Sequence, residues 1–197
     1  MKIIGITGSS GSGKTTVSKI ISEELKAKII NADKVVKQMQ EKGTKYYEKI
    51  VETFGEEILK KDCSLNRKKL AEIIFQDESK KEELDNLTYK YVVEEIKNQV
   101  KNAQEKYVII DAPLLIEGKL NEICNIVMAV ISSKEEQIKR ISKRDNIEES
   151  KAKIRLEAQK DNEFYKINAN YIVENNGGNY DEFVGRIRKL VQKLQQM

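Results

Sequence analysis

The chain has 197 residues, with 36 Lys and Arg against 32 Asp and Glu, a net charge of +4, and neither histidine nor tryptophan. That length suits one full α/β core with modest insertions, and the interspersed charges form no basic tail suited to nucleic acid. The missing histidines exclude Ser-His-Asp triads, histidine general bases and His-ligated zinc, leaving acid–base work to carboxylates, lysines or water.

The apolar run Lys2 to Thr7 predicts a buried parallel strand, and Thr16 to Leu25 carries Val17, Ile20, Ile21 and Leu25 at helical spacing. Between them, Gly8-Ser9-Ser10-Gly11-Ser12-Gly13-Lys14-Thr15 satisfies G-x-x-x-x-G-K-S/T, the phosphate-binding P-loop pattern. Glycines at these positions let successive backbone N–H groups converge on phosphate oxygens at a helix N-terminus. Lys14 is expected on the β- and γ-phosphates and the Thr15 hydroxyl on magnesium. Nucleoside triphosphate binding follows from the pattern together with its strand–turn–helix setting.

Ile29 and Ile30 predict a second strand, with Asn31 to Asp33 at its carboxyl end, where ligands gather in open α/β sheets. Asp33 is therefore a candidate carboxylate for chemistry, and also a candidate N-cap for a helix over Lys34 to Gln40. Gly43 breaks that helix, and another is expected over Tyr46 to Phe54, stopped by Gly55. Glu56 to Ser64 reads as charged and irregular. Asn66 to Phe75 and Lys80 to Gln104 read as consecutive helices, and no glycine occurs from Glu56 to Lys106. This block suggests a helical insertion between core strands.

Lys106 to Asp111 returns to strand character and ends in a carboxylate, an arrangement like a Walker B element, whose acid serves a metal directly or through water. Pro113, the single proline, is expected to pin the turn leaving this strand. Glu117 is either a substrate-side acid or a helix-start carboxylate. Ile123 to Ile131 is the next buried strand, followed by a helix over Lys134 to Arg144 with Ser132 and Ser133 at its start. Arg140 and Arg144 share one face of it, and a further helix over Lys151 to Gln159 carries Arg155. Arginine is a small minority of the basic residues, so its gathering here points to a lid whose forked cations meet phosphate and exclude water. A short strand over Tyr171 to Asn175 and a helix over Tyr180 to Leu194, with Phe183, Ile187, Leu190, Val191 and Leu194 inward, close the chain. Cys63 and Cys124 have no partners at metal spacing and read as free thiols. No apolar run approaches a membrane span and the chain opens on a strand, so a cytoplasmic protein is expected, without nucleic-acid or membrane partners.

The guanine-reading Asn-Lys-x-Asp is absent, which favours a small-molecule kinase over a GTPase. The chain resembles the dephospho-coenzyme A kinase family over nearly its whole length. The resemblance is carried by Ile4 to Thr16, by Ile29 to Asp33, by Asp111 to Glu117 (Asp-x-Pro-Leu-Leu-x-Glu), by Gln137, Arg140, Arg144 and Asp145, by Arg155 to Gln159, and by Ala169 to Asn175. It implies a P-loop NTPase fold, a parallel sheet flanked by helices, with a core of residues 1–55, 105–141 and 167–197, an acceptor-side helical part over 56–104 and a lid over 142–166. The implied reaction moves a phosphoryl group from ATP to the ribose 3'-hydroxyl of 3'-dephospho-coenzyme A, with Mg²⁺ as cofactor. Asp33 would be the base, Lys14 and Arg140 would hold the moving phosphoryl, and Gly8 to Thr16 with Arg144 would hold ATP. Asp33, Asp111, Leu114, Glu117 and Arg155 would face the acceptor. The sequence departs from the family pattern at Asn31, where aspartate is usual, at Thr88-Tyr89, where His-Pro is common, and at Asn170 and Glu174, which replace aspartates. A kinase for another nucleoside or nucleotide acceptor, or a regulatory nucleotide-binding ATPase, is the alternative; the oligomeric state stays open.

Overall fold

A computed structural model describes residues 1–196. The chain divides into two compact units, one of residues 1–30 and 103–197 and one of residues 31–102.

The first unit is built on a five-stranded sheet of order β2-β3-β1-β4-β5, from β1 (Lys2–Thr7), β2 (Lys28–Asn31), β3 (Tyr107–Asp111), β4 (Ile126–Ile131) and β5 (Tyr171–Glu174). The pairs β1–β3, β1–β4 and β4–β5 are parallel, with Ile6 opposite Asp111 and Met128 opposite Tyr171. Parallel strands buried on both faces need near-continuous apolar runs, which YVIID and IVMAVI supply. On one face Ile4, Ile6, Ile109, Met128 and Val130 pack with α1 (Lys14–Leu25) and α9 (Tyr180–Gln196), whose Val17, Ile21, Phe183, Ile187 and Val191 are buried in the same cluster. On the other, Ala129 and Ile131 meet Tyr165 of α8 (Asn162–Ile167). Gly5 is pressed there by the segment after β3: an added Cβ would meet Leu115 Cδ2 at 2.6 Å and Cys124 Sγ at 2.8 Å. The unit is completed by α6 (Lys134–Asp145) and α7 (Glu149–Glu157), which share a small core of Ile141, Ala152 and Leu156.

The second unit is helical: α2 (Ala32–Met39), α3 (Lys45–Phe54), α4 (Arg67–Gln76) and α5 (Glu78–Lys101), with a 3₁₀ turn at Glu56–Ile58. All four helix starts carry side-chain caps, from Asn31, Thr44, Asn66 and Asp77. The unit begins at residue 31 rather than 56, because α2 and α3 pack on α5 as α4 does. At the position where His-Pro is common in the family, α5 runs unbroken through Thr88-Tyr89. The Thr88 hydroxyl donates back to the Leu84 carbonyl at 2.7 Å and meets the hydroxyl of buried Tyr46. Several boundaries differ from the sequence-based expectation, among them both ends of α5, expected over 80–104 and found at Glu78–Lys101. The strand expected from Ile123 starts at Ile126, after a 3₁₀ turn over Leu120–Ile123. The helix expected over 151–159 is α7, two residues earlier, and a separate short helix, α8, follows it.

Candidate phosphate-binding site

Strand β1 ends at Thr7 and α1 begins at Lys14, so the six residues between them form the P-loop. Gly8, Gly11 and Gly13 have φ of 140°, 75° and 98°, values that side chains rarely adopt. Space forbids substitution as firmly as torsion does. A Cβ on Gly8 would lie 2.1 Å from the Val130 carbonyl oxygen, and one on Gly11 2.7 Å from that of Gln137. The loop is thus a tight backbone cradle opening onto the N-terminus of a 12-residue helix, an arrangement that fits a polyphosphate. Lys14 Nζ donates to the Gly8 and Ser9 carbonyls at 2.7 and 3.0 Å, and Thr15 is exposed at the start of α1.

The outside of this loop is gripped by α6, α7 and the end of β5. Arg140 Nη1 donates to the carbonyls of Gly11 at 3.1 Å and Ser12 at 3.4 Å, and Asn175 Nδ2 donates to the Ser12 carbonyl at 2.9 Å. Buried Gln137 donates to the Ser9 hydroxyl and, at 3.0 Å, to the Ser10 carbonyl. The Ser10 N–H donates to Gln159 Oε1 at 2.8 Å, just past the end of α7. Arg144 Nη2 reaches the Ser10 hydroxyl at 3.3 Å, while Asp145 accepts from Arg144 at 2.7 Å and from Arg155 at 2.8 Å. The Arg144 hydrogen bond and the charges of both arginines hold the Asp145 carboxyl below its usual range. The three arginines expected on phosphate are therefore tied to the loop in different ways: Arg140 and Arg144 touch it, and Arg155 joins through Asp145. Gln137, Gln159 and Asn175 stood in the sequence motifs without an assigned role; the folded chain makes them partners of the loop.

The remaining candidates fall in two places. Asp111 is buried at the carboxyl end of β3, opposite Ile6, and Thr7 Oγ1 donates to the Pro113 carbonyl at 3.1 Å, tying the following turn to the strand that feeds the P-loop. Leu114 is exposed and Glu117 lies in that turn, outside any helix, so it is not a helix-start carboxylate. Burial and, secondarily, the charge of Glu117 push the Tyr165 hydroxyl up to about 12. Asp33 belongs to the helical unit, exposed in the first turn of α2, two residues beyond β2. It is not the N-cap; Asn31 is, accepting from the Lys34 N–H at 3.0 Å. That frees the Asp33 carboxylate from capping and gives the unusual Asn31 a structural job.

Comparison with known proteins agrees with this geometry. Residues 2–181 match the family model described as dephospho-CoA kinase. The chain is 38% identical to the dephospho-CoA kinase of Fusobacterium nucleatum over 181 residues, covering 92% of this chain and 93% of that one. It is 36% identical to the Bacillus cereus enzyme of the same name, covering 89% and 88%. Among solved structures, dephospho-CoA kinase from Campylobacter jejuni superposes with a TM-score of 0.72 at 29% identity, over 100% of this chain and 98% of that one. TT1252 from Thermus thermophilus gives a TM-score of 0.82 over 98% and 96% of the chains, and at 24% identity speaks for the fold alone. The family match spans the P-loop, the turn after β3 and the arginine helices together, and the chain belongs to the dephospho-coenzyme A kinase family.

Proposed function

We propose that the chain transfers the γ-phosphoryl group of ATP to the ribose 3'-hydroxyl of 3'-dephospho-coenzyme A, giving coenzyme A and ADP. The observation that carries this reading is the glycine cradle at the head of α1, in a chain whose family match covers residues 2–181. In the transfer the acceptor oxygen forms a bond to the γ-phosphorus, the bond from that phosphorus to the β–γ bridging oxygen breaks, and the acceptor proton leaves. Asp33 takes that proton; its carboxylate is exposed and not engaged as the helix cap. Lys14 exchanges its two carbonyl partners for phosphate oxygens, a small swing for a side chain of four methylenes. Arg140 steadies the loop through the Gly11 and Ser12 carbonyls and lends positive charge to the moving phosphoryl, with Arg144 and Arg155 as further anion contacts in a closing lid over 142–166. Asp111, Leu114 and Glu117 serve the acceptor side. The donor set suits magnesium held mainly by phosphate and water: the Thr15 hydroxyl is available, and no group of three or more metal-binding side chains occurs among the described residues. Magnesium bound with ATP would supply charge neutralisation to the phosphates.

The test is direct. Purified protein with Mg-ATP and 3'-dephospho-coenzyme A should form coenzyme A, followed by mass-resolved chromatography. Asp33→Asn should turn over roughly 10²–10⁴-fold more slowly. Equal rates in the two proteins would remove Asp33 from the mechanism, and ADP formation without coenzyme A would remove the acceptor.

A further inference from the structure

The helical unit carries a charge feature that the P-loop does not explain. An open cavity of about 640 Å³ is lined by Lys37, Lys42, Lys60, Arg67 and Lys68, against the single carboxylate of Glu41. None of these five cations makes an ion pair among the described residues, whereas the neighbouring Lys69 reaches Glu57 at 3.7 Å. Asp62, close to Lys60, spends its carboxylate on the N–H and hydroxyl of Ser64, at 2.9 and 2.7 Å. Arg67 and Lys68 also sit in the first turn of α4, where no acid accompanies them and the helix dipole opposes cations. Like charges gathered in one concavity raise the free energy of the empty protein and focus a positive potential into it. Another cavity of the unit, of about 420 Å³, sets Lys45 against Glu94 and Glu95 and so carries no such excess.

We propose that this cavity is a second phosphate-class site, separate from the P-loop, that binds the diphosphate group of the acceptor. The identity of the ligand rests on the kinase reading above, since 3'-dephospho-coenzyme A carries a diphosphate between its adenosine and its pantetheine arm. Free inorganic diphosphate shares that chemistry, and the experiment separates the two sources. The cavity's size lies within the several hundred Å³ typical of small-molecule sites.

The P-loop is first saturated with a non-hydrolysable ATP analogue, and inorganic diphosphate is then titrated calorimetrically into the wild type and into Lys42→Gln/Lys60→Gln/Lys68→Gln. Diphosphate should still bind the saturated wild type, and the triple variant should bind it about tenfold or more weakly. In the wild type 3'-dephospho-coenzyme A should displace it; in the variant the KM for this acceptor should rise with kcat and the KM for ATP unchanged. Binding of diphosphate without displacement assigns the site to a free anion and overturns the acceptor assignment. No binding once the P-loop is filled, or equal affinity in both proteins, overturns the site itself. Glu41→Gln, which removes the opposing charge, should tighten diphosphate binding and gives an independent reading should the triple variant fold poorly. A wild type that binds diphosphate here but forms no coenzyme A would sink the kinase reading and leave the site standing.

Discussion

At Gly8 the chain turns with φ of 140°, and the space its missing Cβ would fill is already occupied by the Val130 carbonyl oxygen, 2.1 Å away. Backbone cannot swing aside as a lysine tip can, so Gly8→Ala combines left-handed strain with a clash in the centre of the sheet. The two effects together should cost roughly 3 kcal/mol or more, lowering the thermal midpoint by about 6–12 °C for a chain of this size. Gly185 is the contrast: it lies inside α9 with ordinary φ, and a Cβ added there would find nothing within 4 Å. Gly185→Ala should therefore stabilise by about 0.5–1 kcal/mol, since alanine loses less freedom in a helix. Paired melting curves would test both, and a neutral Gly8→Ala would mean that the loop can relax around an extra methyl group. The same scale shows why Asp33 was ambiguous in the sequence. An aspartate beside a helix start is an equally good cap or base on paper, and the observed bond from Lys34 N–H to Asn31 takes the cap role away from it.

Among the elements, α6 and α7 matter most, because they hold the P-loop from behind through residues about 130 to 150 positions away in sequence. Gln137 is buried, and its amide serves both Ser9 and Ser10. Gln137→Leu would strand the Ser9 hydroxyl in a dry place, so stability should fall by about 1–3 kcal/mol. Gln159 is exposed, and Gln159→Ala should leave the melting point within about 1 kcal/mol of wild type while raising the KM for ATP, because Ser10 loses its anchor. A matched fall in stability for both variants would argue that Gln159 is merely structural. The latch has its own titration. Asp145, with its native value below the unfolded 3.8, adds stability above that unfolded value, and the contribution disappears as pH falls through the depressed native one. Carbon-detected titration should thus give a midpoint under 3.8 for Asp145, shifting up in Arg144→Ala. These couplings mark the limit of what the sequence could tell. Strand–turn–helix order, the P-loop and the inward face of α9 were legible because they depend on local spacing and apolar period. The partners of Gln137 and Gln159 were not, since a hydrogen bond across the fold leaves no period. Nor was the start of the helical unit at Asn31, which depends on α2 and α3 packing on α5 rather than on any break in composition.

For the molecule as a whole, the absence of histidine has a consequence for stability. Stability changes with pH only where folded and unfolded chains bind different numbers of protons. Histidine is the side chain whose ordinary value lies near neutrality, so its absence predicts a thermal midpoint nearly constant from about pH 6 to 8. The alkaline side differs. Burial raises the Cys124 thiol from 9.0 to about 12, and burial together with the Glu117 charge raises Tyr165 from 10.0 to about 12. Both groups are acids whose folded value is raised, so their contribution is complete below the unfolded values and is lost as pH climbs towards the folded ones. Above about pH 9 the unfolded chain sheds the Cys124 proton first, and the midpoint should decline from there. Cys124→Ser tests the assignment, because a serine hydroxyl can keep the bond that Sγ makes to the Leu120 carbonyl at 3.2 Å without titrating in this range. The variant should follow the wild type through neutrality and then fall less steeply between pH 9 and 10, where Cys124 leads and Tyr165 has yet to contribute. An unchanged alkaline slope would show that the half-buried thiol is better solvated than its surroundings imply, and a marked slope near pH 7 would require a group other than histidine to change its protonation on folding.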